Sequence, residues 1–67
     1  MFYFENEVLN IKRFTKILFL EENKISFLFK KYSLEIQGKN LKLVSYYEEE
    51  AFVKGNIERI IFNYDVL

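Results

Sequence analysis

Three short runs constrain this chain more than anything else in it: ILFL (17–20), SFLF (26–29) and RIIF (59–62). Strict alternation of apolar and polar residues describes a sheet with one dry face and one wet face. These runs break that alternation and place apolar side chains on both faces. A sheet built this way must curl around its own core as a small open barrel or sandwich, or cover its second face with another copy. The two solutions are compatible.

Around these runs, strand signals dominate. KILFL (16–20) and KISFLFK (24–30) flank EENK, which has turn character. YSLEI (32–36) alternates cleanly, with Tyr32, Leu34 and Ile36 on one face and Ser33 and Glu35 on the other. NLKLVSYY (40–47) begins the same way, with Leu41 and Leu43 opposite Lys42, and AFVKG (51–55) and NIERIIFNY (56–64) follow a YEEE turn. The expected fold is all-β: an antiparallel meander of about six or seven short strands in a curled sheet. No proline, serine-rich linker or low-complexity tract divides the chain, so residues 1–67 are expected to form a single domain. A helix competes over residues 7–24, where Val8, Ile11, Phe14, Ile17 and Leu18 fall near helical spacing, and over IERIIF. Enrichment in β-branched and aromatic residues decides for strand.

A chain of 67 residues buries only about 60% of the surface it exposes when unfolded. It has no cysteine to staple it, and without cysteine or histidine a zinc site is not expected. What remains is self-association and an aromatic core of eight Phe and five Tyr, each burying roughly 150–250 Å². Ten basic and ten acidic residues cancel. That balance gives no global attraction to nucleic acid or to an anionic membrane, and it removes a barrier to forming a homo-oligomer. The opening MFYFENEV is short and acidic for a signal peptide, and no apolar run approaches membrane-spanning length. The expectation is a cytoplasmic protein without direct membrane insertion.

Gly38-Lys39-Asn40 is the first candidate site. A phosphate-holding loop needs several glycines followed by a helix N-terminus, whereas here one glycine precedes LKLVSYY. A tight turn between strands fits better, with Gly38 or Asn40 supplying a positive φ. Gly55 reads as a turn or bulge glycine. The run Glu48-Glu49-Glu50 reads as a solvated acidic turn, since charge runs are rarely buried. Lys30, Lys31, Lys39 and Lys42, with Tyr32, Tyr46 and Tyr47, would suit single-stranded nucleic acid only if the charges were segregated on one face. With no histidine or cysteine and few Ser/Thr residues outside any motif, nothing converges on catalysis. No enzyme activity and no cofactor are expected. Two aromatic groups are candidate protein contacts: Phe2, Tyr3 and Phe4 at one end, and Tyr46 and Tyr47 beside the acidic turn. Core packing is the competing use for both groups.

The stretch IQGKNLKLVSYYEEEAFVKGNIERIIF (36–62) resembles the C-terminal half of the YabP/YqfC family of sporulation proteins. The likeness is carried by Ile36, Gly38, Asn40, Leu41, Leu43, Val53, Gly55, Ile57, Ile60 and Phe62. Upstream, VLNIKRFTKILFLEENKISFLF is similar to the family's entry, although the longer N-terminal extension of some members is expected to be absent. The resemblance implies a protein of endospore-forming bacteria needed for spore or spore-coat assembly, with a sporulation membrane protein as a possible partner. It carries no catalytic residue or cofactor. The resulting expectation is a non-enzymatic structural or adaptor protein acting through self-association and partner contacts. The alternative is a small β-barrel module binding single-stranded nucleic acid or a small ligand, which steep salt dependence would reveal.

Overall fold

A computed structural model of the chain describes residues 2–5, 8–47 and 50–64, with side chains described for 8–44 and 50–64. The elements are β1 (Phe2–Glu5), β2 (Val8–Lys12), β3 (Lys16–Glu21), β4 (Lys24–Leu28), β5 (Ser33–Tyr47) and β6 (Glu50–Asn63). Among the described residues there is no helix. Over 7–24, the region of helical spacing, the described residues form β2, β3 and the start of β4. The strands make one antiparallel sheet in the order β1-β2-β6-β5-β4-β3. Two of them, β5 and β6, are far longer than the short strands expected. The four-residue β1 extends the edge of β2.

The difference lies at the two glycines. The segments 32–36 and 40–47 merge into one 15-residue strand, Ser33–Tyr47, and 51–55 and 56–64 into one 14-residue strand, Glu50–Asn63, with Tyr32 and Tyr64 just outside. Gly38-Lys39-Asn40 is therefore not a turn between strands. It lies inside β5, where the pairing with β6 shifts register on both sides of it. Bulges of this kind bend a strand and increase its twist without ending it. A positive φ occurs at Asn40 (54°) and at Gly55 (137°), so Asn40, not Gly38, supplies the left-handed conformation in this triplet. Gly38 is needed for a different reason: a Cβ there would lie 2.0 Å from the Asn56 carbonyl oxygen. Gly55 meets the mirror-image constraint, with a Cβ falling 2.6 Å from the Asn40 carbonyl oxygen and 2.9 Å from Leu41 Cα. The two glycines let the long β5–β6 ribbon press its backbones together at the bend. Gly55 is the bulge glycine that the sequence allowed.

The topology also departs from a plain meander. Strands β3 to β6 follow one another across the sheet, whereas β2 pairs with β6. The ribbon is consequently flanked on opposite sides in its two halves. Its open-end half, Ser33 to Gln37, carries β4 and then β3 beside β5, while the other half, Glu50 to Lys54, carries β2 and then β1 beside β6. Both halves feed one core. Ile25, Phe27, Leu34 and Ile36 come from the first, Leu9, Ile11, Ala51 and Val53 from the second, and Leu41 from the bend. The β2–β3 connection turns through Arg13 (φ 64°) and buries Phe14, whose ring meets Phe27 at a centroid distance of 5.0 Å. Tilted ring pairs of this kind add to the stabilisation from burial alone. The β3–β4 turn is tied to the bend: Leu41 N–H donates to the Glu22 carbonyl at 2.7 Å, and Gly38 N–H to that of Asn23 at 3.1 Å. No buried side-chain polar atom among the described residues lacks a hydrogen-bond partner.

Candidate contact surface

Among the described residues, strand β3 is hydrogen-bonded to one neighbouring strand, β4, and its other backbone edge is open. Its sequence, Lys16-Ile17-Leu18-Phe19-Leu20-Glu21, sets four apolar residues between two opposite charges. Only Ile17 packs against the core; Leu18, Phe19 and Leu20 are 45%, 38% and 55% exposed. The pairing with β4 runs Ile17↔Phe27 and then Phe19↔Ser26, leaving Leu18 as a bulge residue. Ile17 and Leu20 thus oppose the core residues Phe27 and Ile25, while Lys16, Phe19 and Glu21 oppose Leu28, Ser26 and Lys24. The Lys24 ammonium sits 4.3 Å from the centre of the Phe19 ring, an attraction worth roughly 0.5–1 kcal/mol at an exposed site. Natural sheets usually protect such an edge with charge, proline or a covering segment. Here charge stands only at the ends of the strand.

A second apolar feature lies where the ribbon opens. Tyr32 stacks on Phe29 with centroids 4.7 Å apart and planes within 4°, and Phe62 and Tyr64 complete the group at 5.8 and 5.5 Å from Tyr32. Phe29 is buried, whereas Tyr64 is 66% exposed. Tyr32 is thus half-buried within this group of rings. Of the lysines named with it, Lys30 and Lys31 precede β5, Lys39 is in the bend and Lys42 is beyond it. Lys39 already faces Glu58 at 4.0 Å.

The aromatic residues expected to make protein contacts fall into strands. Phe2, Tyr3 and Phe4 pair with Ile11, Asn10 and Leu9, and Tyr46 and Tyr47 pair with Ala51 and Glu50. Because Ile11 also pairs with Ala51, Phe2 and Tyr46 occupy one register row, three strand spacings apart, or about 14 Å. The topology therefore places on one row two groups that the sequence separates by more than forty positions. Glu48 and Glu49 lie outside the described residues, while Glu50 opens β6 and faces the Lys12 ammonium at 3.7 Å. The β3 residues belong to ILFL, one of the runs that break alternation, but were not among the candidate contact residues named from the sequence. Their sequence signal was three consecutive large apolar residues in a strand, of which a one-sided core can take only alternate members.

Beside β3, an open depression is lined by Phe19, Glu21, Lys24, Gln37, Gly38 and Glu58, among others. Its charges are of both signs. Among the described residues, no group of three or more His, Cys, Asp or Glu is placed to hold a metal ion, and no helix is long and apolar enough to cross a membrane. Comparison with family models, curated proteins and solved structures finds no match to this chain.

Proposed function

We propose that this chain is a non-enzymatic structural or adaptor module that works through self-association and contact with a protein partner. The observation that carries this reading is the β3 edge, where Leu18, Phe19 and Leu20 lie exposed on a strand paired on one side only. An edge of that kind offers backbone hydrogen bonds and apolar area together, the two components of strand-addition recognition. The neutral charge balance sets no long-range repulsion against a second copy. The setting comes from the resemblance to YabP/YqfC proteins in residues 36–62: spore or spore-coat assembly in an endospore-forming bacterium, with a sporulation membrane protein as the partner held. The exposed lysines lie dispersed along β5 and the turn before it, which favours protein contact over a nucleic-acid groove. Light scattering of the purified chain from micromolar concentration upward tests the reading. Mass rising with concentration is expected. A monomer throughout overturns the self-association, and turnover of a substrate by the purified chain overturns the adaptor role.

A further inference from the structure

We propose that the open edge of β3 is a two-fold pairing site for a second copy of this chain, with Lys16–Glu21 running antiparallel to the same segment of that copy. This builds on the self-association reading above and gives it an address. The argument begins with the bulge. Lys16 and Glu21 are five positions apart, and in a regular strand an odd separation puts side chains on opposite faces. The extra residue Leu18 shifts the alternation, so in register both charges fall in line with Phe19, while Ile17 and Leu20 stand opposite Phe27 and Ile25. Keep Leu18 as a bulge residue in both copies, as it is against β4, place a two-fold axis at Phe19, and the remaining five positions become their own complement. Phe19 meets its symmetry mate, Ile17 meets Leu20 of the second copy, and Lys16 meets Glu21 at both ends. Every opposed pair lies on one face and matches in character, as an isologous interface requires.

The alternative arrangement fails on charge. A parallel in-register pair sets Lys16 against Lys16 and Glu21 against Glu21, which is unfavourable for residues directly opposed across strands. Self-complementarity is what selects a second copy over an unrelated strand: a strand of different sequence would need the same order of cation, four apolar residues and anion. The exposed Leu18, Phe19 and Leu20 would lose water contact in this arrangement. The pair would join two sheets into one continuous sheet, leaving β1 of each copy at the outer edges.

The test is a charge exchange read by sedimentation and light scattering at low ionic strength, with thermal melts confirming that each variant folds. Lys16→Glu opposes two glutamates at each end, and Glu21→Lys opposes two lysines. Each single variant is expected to weaken the wild-type association about tenfold or more, since each change acts at both ends of the pair. The double variant Lys16→Glu/Glu21→Lys restores the pairing and is expected to associate like the wild type. An equimolar mixture of the two single variants is expected to form the mixed dimer in preference to either homodimer. If the wild type associates but the single variants do so equally well, or the double variant and the mixture show no rescue, the β3 pair is overturned while self-association stands. If the wild type is monomeric at every concentration, both readings fall.

Discussion

Replacing Gly38 by alanine tests the central claim about the bend with the smallest possible change. The added Cβ would sit 2.0 Å from the Asn56 carbonyl oxygen, 3.0 Å from its carbon and 3.1 Å from Ile57 Cα. All three are backbone atoms, so no side-chain rotation relieves the overlap. The strands must part by more than an ångström where Gly38 N–H also reaches Asn23. Overpacking of this kind costs about 1–3 kcal/mol, and weakening one or two nearby hydrogen bonds adds about 0.5–1.5 kcal/mol each. Restricting the unfolded chain returns about 0.4–1 kcal/mol. The net expectation is a loss of about 2–4 kcal/mol, from a total that at this chain length is of order 3–10 kcal/mol. For a small domain that lowers the melting temperature by roughly 10–25 °C. Urea and thermal unfolding followed by far-ultraviolet circular dichroism, at matched protein concentration, measure it. A Gly38→Ala midpoint within a degree or two of wild type would refute the close approach and, with it, the account of why two expected strands are one.

Three further outcomes follow from the same geometry. Asn40→Val is expected to destabilise by about 1–2 kcal/mol, because a β-branched residue is strained at φ 54°, whereas Asn40→Gly is expected to be nearly neutral; urea midpoints separate the two. Phe27→Ala removes a fully buried ring packed on Phe14 and is expected to cost about 3–5 kcal/mol, enough to abolish a cooperative melt in much of the stability range. Tyr46→Ala or Tyr47→Ala, in variants shown to fold, is expected to weaken capture of the proposed partner, a sporulation membrane protein, by roughly 1–2 kcal/mol or more, and wild-type capture by both would remove these tyrosines from the contact.

The strand character of this chain was legible in its residues, because period-2 runs of Ile, Leu, Phe and Tyr state which side chains can share a face. So was the special status of Gly38, Asn40 and Gly55, which are residue types that announce an unusual backbone. Their meaning was not legible. A glycine that makes a turn and a glycine that lets two strands touch look identical in sequence, since the difference is set by atoms contributed from the opposing strand, here Asn56 and Leu41. For the same reason, the sequence could name aromatic residues without saying which would be taken up by a neighbour, as Tyr32 is by Phe29, Phe62 and Tyr64. The composition established that apolar groups exceed what one sheet face can hide. Only the strand order decided where the excess lies, because pairing β2 with β6 leaves β3, with its Leu18, Phe19 and Leu20, as an open edge. Local pattern fixes the face a residue occupies, but exposure depends on which strand stands next to it, and that is a property of the whole sheet.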